Sequence, residues 1–188
     1  MPPTISIRNQ YLSWLICVVT LAGCRDQVFD PTEKLPAYPG VSSQLRILEG
    51  QEQRDVLKLR LEKFDEDQAV VVQQLIQNDT DERLALFQSP RFQAEHIVVR
   101  TIEGDSVPLS AYSRQVKQKW QSGNRGDAGG SGIFPDETQR LEYILTKLFD
   151  LSEPGTYTVE IESRYKIHDK PVLGFFETDP EPITFEVK

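Results

Sequence analysis

Cysteine and histidine are scarce in this chain of 188 residues, which has two of each. Both cysteines, Cys17 and Cys24, lie near the N-terminus, so residues 25–188 hold no disulfide and must be stabilised by burial. The histidines, His96 and His168, are far apart in the sequence. A Cys/His metal cluster is therefore excluded, and we expect neither a bound metal nor another cofactor.

Catalytic motifs are missing as well. The sequence has no Gly-x-Ser-x-Gly, no His-Glu-x-x-His and no phosphate-binding glycine loop, so we expect a protein that is not an enzyme. Acidic residues outnumber basic ones by 29 to 21, which gives a formal net charge of −8. This acidity argues against nucleic acid as a partner and against electrostatic attraction to a membrane.

The apolar run near the N-terminus is too short to span a bilayer. Residues 11–22 give it a length of about 12, typical of a signal-peptide core and well below the ~20 residues that a transmembrane helix needs. Arg8 precedes the run, and Leu21-Ala22-Gly23-Cys24 ends it. This arrangement resembles the N-terminus of bacterial lipoproteins, in which such a tetrapeptide forms the lipobox.

The resemblance implies a separate role for each of these residues. Residues 1–23 would be a signal peptide, recognised by its peptidase through Leu21, Ala22 and Gly23. The thiol of Cys24 would receive a diacylglyceryl group, and its new amine an acyl chain such as palmitate. Two or three such chains would anchor the protein firmly to a membrane of the cell envelope.

Residues 24–43 are interpreted as the lipidated cysteine followed by a flexible tether. Three prolines and a glycine interrupt any regular pattern there. Arg25, in place of aspartate directly after the cysteine, favours the outer membrane in a cell that has one. Leu35 and Tyr38 could dock on the folded domain, which we expect at residues 44–188.

Period-two alternation of apolar and polar residues dominates residues 44–188 and predicts strands. A tight turn is expected at 103–105. Residues 139–149 fit both a helix and a strand, and we favour a strand that runs into an irregular turn. About seven or eight short strands separated by turns indicate an all-β domain, a single antiparallel β-sandwich. The clearest predicted strands are 56–64, 69–77 (a central strand), 84–87, 97–102, 157–167 and 183–187.

The segment 148–159, Leu-Phe-Asp-Leu-Ser-Glu-Pro-Gly-Thr-Tyr-Thr-Val, resembles the penultimate strand of bacterial immunoglobulin-like domains. In those domains a Pro-Gly turn leads into a Tyr-x-Val strand. The resemblance implies an immunoglobulin-like sandwich in which the hydroxyl of Tyr157 bonds back to nearby backbone. Val159 stands where antibody-type domains carry their second cysteine. Similar sandwiches occur in small proteinase-inhibitor domains.

Residues 113–135 form the one basic stretch of this acidic chain and predict a long surface loop. Its second half, 126–132, is rich in glycine and has no preferred backbone conformation. We interpret the stretch as a candidate binding loop for an anionic partner, with an aromatic anchor. The alternative is a solvated loop whose tryptophan packs back onto the sandwich. The residues concerned are Arg114, Lys117, Lys119, Trp120 and Arg125.

Three weaker candidates remain. Arg125-Gly126-Asp127 matches the tripeptide that integrins read, although three residues recur by chance. The acidic turns at 65–67 and 79–82 could bind Ca²⁺ if they met at one end of the sandwich, and are otherwise solvated turns. A catalytic role for His96 and His168 would require them to converge with a nucleophile.

These features favour a membrane-anchored envelope lipoprotein that displays a non-enzymatic β-sandwich and binds a protein or polymer partner. One alternative is an inhibitor-like module that blocks an envelope protease through an end loop. The other is an unrecognised hydrolase. The fold alone does not choose among them.

Overall fold

The computed structural model describes residues 36–60, 68–87, 93–122, 131–167, 176–178 and 180–188. Within these ranges the chain is mostly β-strand, and every strand pair is antiparallel, as the alternation in the sequence predicts. The strands are β1 (Val41–Leu48), β2 (Val71–Asn78), β3 (Leu84–Phe87), β4 (Ile97–Thr101), β5 (Ser131–Ile133), β6 (Thr138–Ile144), β7 (Gly155–Ile161), β8 (Ser163–Ile167), β9 (Phe176–Thr178) and β10 (Ile183–Val187).

Three α-helices accompany the strands in the described part of the chain. They are α1 (Gly50–Leu59), α2 (Ala111–Gln121) and the single turn α3 (Leu145–Leu148), and a 3₁₀ turn spans Gln93–His96. None of the helices in the described ranges is both long and apolar enough to cross a bilayer.

The described strands form three sheets. Sheet 1 has the order β1-β2-β6, sheet 2 the order β10-β7-β4, and sheet 3 the order β5-β3-β8-β9. The predicted central strand is confirmed, because β2 lies between β1 and β6. Along the described strands the chain passes between sheets 2 and 3 four times, from β3 to β4, from β4 to β5, from β7 to β8 and from β9 to β10.

One face of β2 carries both main parts of the core. Val72 packs in a cluster with residues of sheet 2, and Ile76 packs in a second cluster with residues of sheet 3. Side chains two or four residues apart on a strand share a face. Sheets 2 and 3 therefore cover the same face of sheet 1, which gives a two-layered arrangement.

The opposite face of β2 is covered at one end by α1. Leu57 is buried there against Val71, together with Leu48 and Ile144. The strand predicted at 56–64 is therefore wrong over its described part, which is helical to Leu59. Helix formers fill residues 51–54, and the apparent alternation is misleading because Leu59, unlike Leu57, is 83% exposed.

The long loop predicted at 113–135 is wrong over its first part, because α2 occupies Ala111–Gln121. Near the end of the predicted loop the structure has the strand β5, which pairs with β3. In the segment 139–149 the expected strand is confirmed as β6, and the turn that follows is the helical turn α3 rather than an irregular one. The tight turn at 103–105 is confirmed by the hydrogen bond that the Thr101 amide donates to the Asp105 carbonyl, at 2.8 Å.

The long strand predicted at 157–167 divides at Glu162 into β7 and β8, which belong to different sheets. The amide of Glu162 donates a 2.9 Å hydrogen bond to the carbonyl of His96, beside the start of β4. The sequence hides this break, because every second side chain from Tyr157 to Ile167 is buried in both strands. The alternation of side chains shows which face of a strand is buried, but it does not show to which sheet the strand belongs.

Tyr157 makes the backbone contact expected of it. Its hydroxyl donates a 2.7 Å hydrogen bond to the carbonyl of Glu153, four residues upstream. Its ring is buried and stacks on Phe185 of β10, with ring centroids 5.7 Å apart. This contact ties the turn before β7 to the last strand.

Part of the predicted tether belongs to the folded domain. The strand β1 begins at Val41, and the amide of Tyr38 donates to the hydroxyl of Tyr165 at 3.2 Å. The Tyr38 ring also contacts Phe176 edge-on, at 4.8 Å between centroids, as the docking expectation for this residue requires. Leu35 and the N-terminal segment with Cys24 lie outside the described residues.

Candidate functional site

The helix α2 places most of the predicted binding residues on a fixed scaffold. Its N-cap is Ser110, whose hydroxyl oxygen accepts a 3.1 Å hydrogen bond from the amide of Ser113. The same hydroxyl donates to the carbonyl of Lys147, and the Ser110 amide donates to the carbonyl of Leu148. The first turn of α2 is thereby tied to α3.

One face of α2 is turned to the protein. Ser113, Val116 and Trp120 are spaced by three and four residues, which puts them on one side of a helix. Ser113 is 1% exposed, Val116 packs against the cluster between sheets 1 and 2, and Trp120 is partly buried. Trp120 therefore belongs to the packing face, as the alternative interpretation of this tryptophan expects, and is not an exposed anchor beside the cations.

The outward part of α2 is cationic. Arg114, Lys117 and Lys119 are all exposed, and the helix carries no acidic residue. Arg114 and Lys117 are three residues apart and share one flank, while Lys119 lies on the other flank with Tyr112. The partial negative charge at the C-terminus of a helix favours nearby cations, and Lys117 and Lys119 lie towards that end.

A further cation extends this region onto α3. The ammonium of Lys147 lies 4.6 Å from the centre of the Tyr112 ring, within the range of a cation–π contact. We call Arg114, Lys117, Lys119 and Lys147 the cationic surface. An acid also lies close to the start of α2, because the backbone amide of Asp150 donates a 2.9 Å hydrogen bond to the carbonyl of Pro108.

The cationic surface can bind anionic groups through charge and hydrogen bonds. Part of the hydrogen-bonding capacity of Arg114 is used within the protein, because its guanidinium donates to the carbonyl of Leu109. Arg114 lies in the first turn, away from the helix C-terminus that favours cations, and repels Lys117 by a few tenths of a kcal/mol, so helix stability does not explain its position. The ring of Tyr112, 48% exposed, adds an apolar area beside Lys119.

The other sequence-derived candidates do not join this surface. His96 is half-buried at the end of the 3₁₀ turn. The turn 79–82 is organised by Asn78, whose amide nitrogen donates to the carbonyls of Glu82, Ile133 and Phe134. Within the described ranges no group of three or more His, Cys, Asp or Glu residues is placed to hold a metal ion.

Several candidates fall outside the described residues, so the structure places none of them. They are the lipobox residues Leu21, Ala22, Gly23 and Cys24, the acidic turn at 65–67, the tripeptide Arg125-Gly126-Asp127, and His168.

Sequence reasoning missed Tyr112 and Lys147. A signal for the helix existed: Ser110 is a favoured N-cap residue, and Ser113, Val116 and Trp120 follow at helical spacing. Tyr112 could have been found in this way. The contact of Lys147 with Tyr112 is tertiary, and no local pattern signals it.

Comparisons with known proteins place few constraints. No protein-family model and no curated protein matches the chain. Several solved structures align with it, and two of them do so over much of their length. The Northeast Structural Genomics Consortium target SoR45 is 12% identical with a TM-score of 0.40, covering 77% of this chain and 83% of its own. A Bordetella pertussis protein given the name ApaA is 13% identical with a TM-score of 0.39, covering 82% and 98%.

Proposed function

We propose that this chain is a non-enzymatic lipoprotein of the cell envelope whose β-sandwich binds an anionic protein or polymer through the cationic surface of α2. The observation that carries the binding part is the exposure of three cations on α2 without a single acid on that helix. The protein as a whole has a net charge of −8, so the charge of this helix is opposite in sign to that of the protein.

The proposal for the anchor rests on residues 1–24. A short apolar run after Arg8 and the tetrapeptide Leu21-Ala22-Gly23-Cys24 support cleavage before Cys24 and acylation of its thiol and amine. Each buried CH₂ contributes about 0.8 kcal/mol, so two or more acyl chains suffice for stable attachment. Arg25 supports the outer membrane as the destination.

The proposed sandwich is immunoglobulin-like. Two layers of antiparallel strands and the hydrogen bond from Tyr157 to the carbonyl of Glu153 support this assignment. Val159 is fully buried at the position of the antibody-type cysteine, so apolar packing takes the place of that disulfide. Such a frame would hold α2 at a fixed place on the domain.

The test of binding uses the full-length protein, purified from detergent-solubilised envelopes. The test variant carries Arg114→Gln, Lys117→Gln and Lys119→Gln. A partner recovered with the unchanged protein should be lost from this variant, because the attraction is electrostatic, and should be released by raised salt.

The matched control removes three exposed cations elsewhere, by Arg54→Gln, Lys58→Gln and Arg140→Gln. It has the same net charge as the test variant and should retain the partner. Equal recovery in all three samples, or equal loss in both variants, would refute recognition by α2.

The anchor is tested separately by Cys24→Ser. We expect this change to abolish acylation of the mature N-terminal peptide, seen by mass spectrometry, and to prevent its cleavage before residue 24. An unmodified Cys24 in the unchanged protein would refute the anchor while leaving the binding proposal standing.

A further inference from the structure

A cleft opens between the free edges of two sheets. Among the strands that the structure describes, β1 pairs only with β2, and β10 pairs only with β7. The cleft has a volume of about 540 Å³ and is lined by the end of β1, the start of α1, residues 68–70 and β10. An unpaired strand edge presents a row of backbone donors and acceptors, which other backbone satisfies best.

The buried floor of the cleft is apolar, and its exposed rim is polar. The side chains of β10 alternate: Phe185 is buried and Val187 half-buried, whereas Thr184 and Glu186 are exposed. A fixed wall is provided by Gln53, whose side-chain amide donates to the carbonyl of Ala69. The apolar part of the lining is Ile47, Leu48, Ala69, Val70, Phe185 and Val187.

The charges at the rim favour a basic occupant. Glu49 and Glu186 are exposed there and are opposed by one cation, Lys188, while the other polar lining residues are uncharged. Two carboxylates on opposite walls would attract a cation placed between them. An exposed pair of this kind contributes modestly, and chiefly to selectivity.

We propose that this cleft captures an extended peptide segment of a partner, which adds as a strand to the free edge of β10. Apolar side chains of the segment would face the floor and basic side chains would meet Glu49 and Glu186. The five residues of β10 offer an edge of about 17 Å, enough for a segment of similar length. The inference is independent of the cationic surface, because the two sites share no residue.

The test uses the full-length protein in detergent and a capped, dye-labelled peptide of alternating valine and lysine, matched in length to β10. Binding is followed by fluorescence anisotropy, and hydrogen exchange locates it. We expect slower exchange at residues 183–187 when the peptide is bound. A peptide of alternating valine and glutamate should bind more weakly, and the same valine–lysine peptide with N-methylated backbone amides should not bind.

The variant Glu186→Lys should weaken binding of the valine–lysine peptide by about fivefold, the size expected for an exposed charge pair. The matched control is Glu103→Lys, an exposed position on the turn after β4, which should leave binding unchanged. The variant without the three cations of α2 should also bind normally, so failure of one proposal is distinguishable from failure of the other.

Three results would overturn the inference. The first is no binding of the valine–lysine peptide, and the second is equal binding of its N-methylated form. The third is slow exchange at 183–187 without peptide that depends on protein concentration, since it would make a second copy of this chain the occupant.

Discussion

The side-chain carbonyl of Gln74 accepts a 2.9 Å hydrogen bond from the hydroxyl of Ser163, deep inside the protein. Both residues are fully buried. Gln74 lies in the middle of the central strand β2, and Ser163 is the first residue of β8, just after the chain has left sheet 2 for sheet 3. The bond therefore joins the two layers where the second layer divides.

Two further hydroxyls complete this buried network. The amide nitrogen of Gln74 donates to Ser43 at 3.0 Å, and the hydroxyl of Tyr143 donates to the Gln74 carbonyl at 3.3 Å. On the same face of β2, Val72 and Ile76 flank Gln74 and belong to separate clusters. A satisfied polar group between two apolar clusters disfavours any shifted pairing of β2.

The first prediction concerns this network. Gln74→Leu should lower the free energy of unfolding by about 2 kcal/mol, because Ser163 and Tyr143 lose a buried acceptor. Gln44→Leu, at an exposed position on β1, serves as control and should change it by less than about 0.5 kcal/mol. Urea denaturation measures both. A Gln74→Leu protein as stable as the unchanged one would contradict the assigned role.

The second prediction isolates one hydrogen bond. Tyr157→Phe removes the hydroxyl that donates to Glu153 and keeps the ring against Phe185, so we expect a loss of about 1 kcal/mol in unfolding free energy. Tyr112→Phe removes an exposed hydroxyl and should be neutral. If thermal melting shows equal shifts for the two variants, the bond before β7 is not a stabilising one.

The third prediction contrasts a buried ion pair with an exposed one. Arg164 and Glu177 face each other across β8 and β9 at 3.1 Å, with side chains 11% and 3% exposed. Glu177→Gln would remove a counter-charge that lies 3.1 Å from this largely buried guanidinium and should reduce the unfolding free energy by about 3 kcal/mol.

The exposed counterpart is Arg100 with Glu160, at 4.0 Å and with side chains 42% and 44% exposed. Glu160→Gln should change the unfolding free energy by less than about 0.5 kcal/mol. Similar changes for Glu160→Gln and Glu177→Gln in chemical denaturation would contradict the burial argument.

The fourth prediction is a loss of stability in alkali. Burial raises the pKa of Tyr165 to about 12, above the value of about 10 in an unfolded chain. The folded state therefore keeps this proton where the unfolded state releases it. The stabilisation is complete below about pH 10 and is lost between about pH 10 and 12, at about 1.4 kcal/mol per pH unit.

The measurement compares the unchanged protein with Tyr165→Phe. The variant lacks the acceptor of the Tyr38 amide and should be less stable by a constant amount, about 1 kcal/mol, below about pH 10. The difference in unfolding free energy should shrink and then reverse as pH rises, since only the unchanged protein titrates at this position. A difference that stays constant with pH would contradict a raised pKa.

Much of the β-structure could be predicted from the sequence, whereas α1 and α2 were not predicted, although α2 carries a local signal in its N-cap Ser110. The strands β2 and β10 are visible because β-branched or alternating apolar residues fill them. The alternation of Leu57 and Leu59 with charged residues predicts a strand where the structure has the helix α1. Only the tertiary structure shows that Leu57 is 4% exposed and Leu59 is 83% exposed.

The sequence predicts which cations belong to the candidate site, but it does not predict the direction of each side chain. The cations Arg114, Lys117 and Lys119 are exposed as expected, yet Trp120 faces inward because the segment is a helix and not a loop. Side-chain direction depends on the period of the backbone, so an error in secondary structure becomes an error in the site. The neighbouring Lys147 depends on how α3 packs, which local sequence does not encode.

The central claim is that a partner contacts the outward face of α2, and site-specific photocrosslinking in intact envelopes tests it most directly. A benzophenone amino acid replaces Gln118, which is exposed among the cations and leaves all of them in place. The control replaces Gln51, an exposed glutamine on α1. We expect a crosslinked product from position 118 and none from position 51. No product from position 118, or equal products from both positions, would contradict the claim.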